Sequence, residues 1–285
     1  MDVNMLLLQK LIEDCLNEDI GPGDLTTNSI VPAGAISTAY ITAKEEGVLA
    51  GLPVALEVFR CLDKAVQWHP LAAEGEPLSK GKLVAEISGK TRAILTGERT
   101  ALNFLQHLSG IATATAHLTR LVGEGKPLIV DTRKTTPGLR MLEKYAVRVG
   151  GGYNHRFGLY DAVLIKDNHI SYAGGVAQAV SKARQTAPHT AKIEVEVADL
   201  EQLKEALASK ADIIMLDNMS TGMMKEAVKM VGGKTPLEAS GGITEERIKE
   251  IAEIGVDLIS VGALTHSVKA LDISLDLSES KTVIC

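Results

Sequence analysis

With 285 residues, 45% of them apolar and 23% charged, the chain has an ordinary globular composition and length for one large α/β domain plus a smaller companion. A formal net charge of -6 argues against a general nucleic-acid binder, whose affinity rests on a basic surface. Three scattered cysteines without metal-ligand spacing, no signal-peptide layout and no apolar run of bilayer length together predict a reduced, cytoplasmic protein with no membrane partner.

Leu7, Leu8, Leu11, Ile12 and Cys15 recur at helical spacing with acids between them, which predicts an amphipathic helix over residues 4–18 that ends at Gly21-Pro22-Gly23. From residue 36 to about 92 the pattern changes to short β-like runs, 37–42 and 82–87, around a helix at 53–62: an α+β module. Residues 75–87 resemble the hairpin of a biotinyl or lipoyl carrier. No lysine sits at a tight turn between matching strands, so the segment is read as a structural hairpin. A proline-free run from Thr96 to Val122 predicts a long connecting helix, with Ser109-Gly110 as the place for a kink. Beyond it six β-rich runs alternate with helical segments: 128–130, 162–165, 193–197, 213–216, 236–239 and 258–261. Such alternation means parallel strands with right-handed crossovers, and Asp199 and Thr244 read as N-caps of two of the helices. The expected division is an N-terminal α+β domain over 1–110, an α/β-barrel domain over 111–275 and a polar tail over 276–285.

Between Asp131 and His169 the acidic chain reverses its charge, with seven Lys or Arg and two His against four carboxylates. These residues bunch at strand ends, where a parallel barrel brings side chains from distant parts of the chain to one rim. The residues expected there are Asp131, Arg133 and Lys134 after the first run, Lys166 and Asp167 after the second, then Glu194 and Glu196, Asp217-Asn218, Glu238 with Ser240-Gly241-Gly242, and Ser260 with Gly262. The last two loops place small residues just before a helix, so exposed backbone amides can hold phosphate oxygens. Glu196 and Asp217 are hard oxygen donors suited to Mg²⁺. Glu194 is expected on the opposite strand face from Glu196, one of the two lying inside the barrel. Arg140, Lys144 and Arg148 recur at helical spacing and are compatible with either a solvated face or a basic wall.

These segments carry a resemblance: 97–103 (GERTALN), 131–138 (DTRKTTPG), 151–159 (GGYNHRFGL), 164–169 (LIKDNH), Glu194-Val195-Glu196 and 215–218 (MLDN), in an order running from 18–27 (EDIGPGDLTT) to 260–265 (SVGALT). The chain resembles the quinolinate phosphoribosyltransferase family, also called nicotinate-nucleotide pyrophosphorylase (carboxylating), over nearly its whole length. The resemblance implies an open six-stranded parallel α/β barrel joined to the N-terminal α+β domain. It implies reaction of quinolinate with phosphoribosyl pyrophosphate, giving nicotinate mononucleotide, pyrophosphate and CO₂ with Mg²⁺. It also implies a homodimer, with assembly into a hexamer left open. By resemblance Arg133, His155 and Arg156 grip the quinolinate carboxylates, with Thr132 and Lys166 near and Arg99 reaching in from the partner subunit. Lys134 and Lys166 are the pyrophosphate-side cations and Glu196 and Asp217 the carboxylates at ribose and metal, these four being the catalytic set. Ser240, Gly241, Gly242 and Gly262 cradle the 5-phosphate.

Three other readings compete. A relative with the same fold could take nicotinate or a base handled in molybdate-associated operons, although His155-Arg156 with Arg133 favours a diacid. A sugar-phosphate binding module would use the glycine loops without catalysis. A barrel aldolase would need a Schiff-base lysine, for which Lys166 is the candidate.

Overall fold

The computed structural model describes residues 3–123, 125 and 127–278. They pack as two compact units: residues up to Ala114 with 137–150 and those from Ser267 onward, and residues 115–136 with 151–266. The chain begins with helices α1 (Met5–Ile20) and α2 (Leu25–Ile30), strands β1 (Ile36–Ala43) and β2 (Gly47–Val48), helix α3 (Leu52–Leu62), and strands β3 (Gln67–Pro70), β4 (Pro77–Leu78) and β5 (Leu83–Lys90). Helix α4 (Thr91–Val122) leads to β6 (Leu128–Val130), α5 (Arg140–Val149), β7 (Val163–Ile165), α6 (Asp167–Ala173), α7 (Val176–Thr186), β8 (Ile193–Val197) and α8 (Leu200–Ala208). Strand β9 (Ile213–Asp217), α9 (Thr221–Val231), β10 (Leu237–Ser240), α10 (Glu245–Ala252), β11 (Leu258–Ser260), α11 (Ala263–His266) and β12 (Ile273–Leu277) complete the order.

In the first unit, the Asn4 carboxamide accepts from the amides of Leu6 and Leu7 and starts α1, which buries Leu8, Ile12 and Leu16. The helix packs on α3, whose Val54, Ala55, Val58 and Phe59 are fully buried. Each large apolar side chain removed from water contributes roughly 1.5–3 kcal/mol. A four-stranded antiparallel sheet in the order β12-β1-β5-β3 completes the unit.

The two compact units depart from the expected division along the sequence at two places. Residues 273–277 pair with β1, Ala39 opposite Leu277, so the segment expected at the junction of barrel and tail is instead an edge strand of the N-terminal sheet. Its alternation explains this, since Ile273 and Leu275 are buried while Ser274 and Asp276 are not. The rest of the expected tail, 279–285, lies outside the described residues. Helix α5 also belongs to the first unit. Lys144 on it is buried, which removes a solvated face as the explanation for that basic spacing. The segment 75–87 is not a hairpin, because β4 pairs with β2 and β5 with β1 and β3.

The second unit is built on a six-stranded sheet in the order β6-β11-β10-β9-β8-β7, every ladder parallel. No ladder among the described residues joins β7 to β6, so the barrel is open there. Instead Tyr153 forms a parallel bridge with Val130, which lays the segment before β7 along β6. Parity sorts the side chains. Val195, Val197, Ile214, Leu216, Leu237 and Ala239 share the outward, helix-covered set and are all buried. Glu196, Met215, Asp217, Glu238, Ser240 and Ser260 alternate with them and line the interior cavity. The expected caps form: the Asp199 carboxylate accepts from the amides of Glu201 and Gln202 and the Thr244 hydroxyl from Arg247 N, each worth about 1 kcal/mol. No helix among the described residues is long and apolar enough to cross a membrane.

Candidate active site

At the carboxyl ends of the barrel strands lies a cavity of about 660 Å³, within the range of small-molecule sites. Twelve of the thirteen residues assigned to substrates by resemblance line it: Thr132, Arg133 and Lys134 after β6, His155 and Arg156 before β7, Lys166 after β7, Glu196, Asp217, Ser240, Gly241, Gly242 and Gly262. Arg99 is the exception, an exposed residue of α4 in the first unit.

One corner of the cavity is cationic. Asp131 is fully buried and accepts from Asn154 Nδ2 at 2.6 Å and from the backbone N–H of His155 at 2.9 Å, which pins the glycine-rich segment 151–156 to the end of β6. Arg156 follows. Its Nη1 donates to the carbonyl of Ala162 at 3.1 Å, while its buried Nε has no hydrogen-bond partner. Burial, and then the neighbouring Arg133 guanidinium, lower the Arg156 pKa from its ordinary value. The two guanidiniums disfavour each other, an effect that the Glu194 and Asp161 carboxylates partly offset, and their planar forks suit a carboxylate. Beneath them His155 Nε2 lies 2.9 Å from Glu194 Oε2 and 3.8 Å from Glu238 Oε1.

The opposite side mixes charges. Lys166 Nζ donates to Glu196 Oε2 at 2.9 Å, an ion pair between neighbouring strands. Asn218, at φ +51, donates its Nδ2 to Asp217 Oδ2 at 2.8 Å. Glu196 and Asp217 thus present hard oxygens from adjacent strands into the cavity, a donor set that fits Mg²⁺. Gly241 has φ +87, and a Cβ there would lie 2.2 Å from Asn218 Oδ1, so both conformation and close approach require glycine. Arg247 ties the loop down, donating Nη1 to the carbonyls of Gly241 and Gly242 at 2.9 and 3.1 Å and Nη2 to that of Met219 at 2.5 Å. Across the cavity Thr265 Oγ1 donates to the carbonyl of Lys134 at 2.7 Å. A Cβ on Gly262 would come 3.0 Å from Lys134 Cδ, so this glycine leaves room for the lysine stem.

Four features correct or add to the sequence reading. Glu194 and Glu196 share the interior face, because residues two apart on a strand point the same way; Glu194 is simply the deeper. The Thr132 hydroxyl accepts from the amide of Lys134 at 3.0 Å, which shapes the loop. His169 Nδ1 accepts from Lys166 N at 2.9 Å and caps α6. Lys166 is exposed and ion-paired rather than desolvated, the reverse of a Schiff-base lysine, and this disfavours the aldolase reading. Glu238 and Asn218 were expected at the rim but given no role, and Arg247 was not expected there at all. The roles of Glu238 and Asn218 come from groups on neighbouring strands, and Arg247 carried no signal because its partners are backbone carbonyls.

Comparison with known proteins follows the same lines. The family model described as the quinolinate phosphoribosyl transferase C-terminal domain matches residues 111–276, and that of the N-terminal domain matches residues 24–109. The chain is 50% identical over 278 residues to a Bacillus subtilis (strain 168) protein described as a probable nicotinate-nucleotide pyrophosphorylase (carboxylating), covering 98% of this chain and 96% of that one. Its structure is similar to that of the nicotinate-nucleotide pyrophosphorylase from Francisella tularensis, with a TM-score of 0.93 at 45% identity over 97% of this chain and 98% of the other. A NadC structure from Streptococcus pyogenes gives a TM-score of 0.94 at 44% identity over 98% and 99% of the two chains.

Proposed function

The chain belongs to the quinolinate phosphoribosyltransferase family, and on that premise we propose that its barrel cavity transfers phosphoribosyl from phosphoribosyl pyrophosphate to quinolinate with loss of CO₂. The products are nicotinate mononucleotide and pyrophosphate, a step of de novo NAD biosynthesis. The observation that carries the assignment of halves is the Arg133–Arg156 corner, whose two half-buried, mutually repelling guanidiniums line the cavity and suit a multiply charged planar acid.

In this reading Arg133, His155 and Arg156 hold the quinolinate carboxylates and aim the pyridine nitrogen at the anomeric carbon. Such alignment supplies much of the acceleration for a weak nucleophile. Positive charge builds on the ribose ring as its bond to pyrophosphate lengthens, and negative charge grows on the leaving group. Lys134 and Lys166 face that group. Lys166 is held ready by Glu196, with which it shares an ion pair at 2.9 Å. Bound Mg²⁺ would neutralise pyrophosphate charge, and Glu196 and Asp217 are the residues that would hold it. Ser240, Gly241, Gly242 and Gly262 receive the 5-phosphate through backbone amides at the barrel's last two loops. Once ribosylated, the ring nitrogen is cationic and stabilises the carbanion left on the adjacent carbon when the carboxylate departs as CO₂, and a proton taken up at that carbon completes nicotinate mononucleotide. Decarboxylation therefore follows transfer.

A homodimer with Arg99 supplied to the partner's site, and a cytoplasmic location, complete the proposal. The exposed position of Arg99 on α4 is compatible with its acting outside its own subunit. The two-sided cavity is tested by kinetics with each substrate varied. Arg133→Ala should raise the quinolinate KM roughly 100-fold, the loss of a charge-assisted pair, with little change for phosphoribosyl pyrophosphate. Glu196→Ala should do the reverse. Wild-type quinolinate kinetics in Arg133→Ala would refute the assignment of the acceptor corner.

A further inference from the structure

Two carboxylates inside the barrel have no task in the reaction as described. Glu194 and Glu238 are 4% and 2% exposed, and each has a buried oxygen without a hydrogen-bond partner. Both face one imidazole, that of His155. The backbone N–H of Arg156 donates to His155 Nδ1 at 2.7 Å, so the ring carries its proton on Nε2, directed at Glu194. The Nε2–H points at Glu194, while the Glu238 carboxylate stands 3.8 Å away. Two ionised carboxylates this deeply buried around one imidazole would repel each other, and a single ring cannot neutralise both. The same three groups lie within 4.8 Å of one another, the reach of a metal site, but 2.9 Å between Nε2 and Oε2 is a direct hydrogen bond and Arg156 adds positive charge beside Glu194. A proton meets the need more simply than a cation.

We propose that Glu238 is a positioning residue of the acceptor pocket that works as a neutral carboxyl: it supports the His155–Glu194 pair from beneath and keeps a second negative charge off the pocket floor where a dianionic aromatic acid must sit. This rests on the quinolinate reading above and extends it to selectivity and pH. The surroundings of Glu238 agree. Its neighbours are Glu194 on β8, His155 along β6, Asp131 after β6 and the Ser260 hydroxyl on β11. On β9 it pairs with Met215, with Asp217 two residues nearer the rim. Burial first, and the Glu194 charge second, push the Glu238 carboxyl up to about 7. The residue therefore changes charge near neutral pH. When it ionises, the acceptor should bind less well and the phosphoribosyl donor, held at the rim by other groups, should not notice.

The test compares wild type, Glu238→Gln and Glu238→Ala from pH 6 to 8.5, with quinolinate and phosphoribosyl pyrophosphate varied separately and nicotinate mononucleotide measured. The wild-type quinolinate KM should climb above neutral pH, approaching roughly tenfold per unit for a one-proton requirement, and Glu238→Gln should abolish that climb. Glu238→Ala should raise the quinolinate KM about tenfold at pH 6.5, equivalent to about 1.4 kcal/mol, without altering the donor KM. The proposal is overturned if Glu238→Gln follows the wild-type profile, or if it matches Glu238→Ala throughout, or if both KM values move together. Absence of product from wild type at every pH would instead overturn the family reaction itself, and this proposal with it.

Discussion

Replacing Gly241 by alanine probes how backbone geometry prepares the phosphate side of the cavity. The substitution places a side chain at φ +87, a conformation costing roughly 1–2 kcal/mol for an L-residue. It also sets a Cβ at 2.2 Å from Asn218 Oδ1 and 2.5 Å from its Cγ, so the amide must move. Asn218 is no flexible surface chain. It sits at positive φ, donates its backbone N–H to the Ser240 carbonyl at 2.9 Å and holds Asp217 Oδ2 at 2.8 Å. Displacing it loosens a hydrogen bond to a charged group, worth about 1.5–3 kcal/mol. If that loss is felt when the donor binds, the phosphoribosyl pyrophosphate KM should rise about 10- to 100-fold. The quinolinate KM should stay within about twofold, a change under half of the 1.4 kcal/mol that makes a factor of ten. Initial rates with either substrate varied, together with a thermal melt, measure both effects. An unchanged donor KM would refute the reasoning, and if the melt alone dropped, the glycine would matter only to the fold.

Three further outcomes follow from the structure. Mixing inactive Arg99→Ala with inactive Lys134→Ala protein under conditions of subunit exchange should restore part of the activity through hybrid dimers; no recovery despite exchange would contradict a shared site. Because the folded carboxyl of Glu238 titrates at about 7 rather than 4.5, the folded state keeps a proton that the unfolded state has released. Stability should accordingly fall as pH rises from about 4.5 to about 7, and Glu238→Gln should escape this loss, gaining on the order of 3 kcal/mol over wild type at pH 8 and little at pH 4.5. Urea titrations at the two pH values measure the gap, and equal midpoint shifts at both would deny the buried proton. Asp199→Ala removes the N-cap of α8 on the outside of the barrel and should cost about 1 kcal/mol with unchanged kinetics; a change in either KM would show that this cap supports the site.

The barrel was legible because its strands are short apolar runs and its helices carry regular spacing and caps, so local pattern and tertiary role agree. The cationic corner was legible for a related reason: Arg133, Lys134, His155, Arg156 and Lys166 follow or precede strands, and a parallel barrel collects such positions at one rim. What escaped depended on partners far away in sequence. Strand β12 has the alternation of a half-buried edge, but only its pairing with β1 removes it from the barrel segment. Lys144 shares its spacing with Arg140 and Arg148 and still is buried, which no periodicity on one helix reveals. Glu238 looked like one polar residue among several at strand ends. Its character arises from Glu194 and His155, which arrive from other strands and loops. Arg247 acts on three carbonyls outside its own helix, two in the loop just before it and one, that of Met219, on a distant segment, a fit that no helical periodicity reveals.

The most direct measurement is an incubation of the purified chain with quinolinate, phosphoribosyl pyrophosphate and Mg²⁺, following nicotinate mononucleotide, pyrophosphate and CO₂, with nicotinate replacing quinolinate in a parallel reaction. The account predicts equal amounts of all three products from quinolinate and little turnover of the monoacid. Efficient use of nicotinate with no reaction of quinolinate would contradict it.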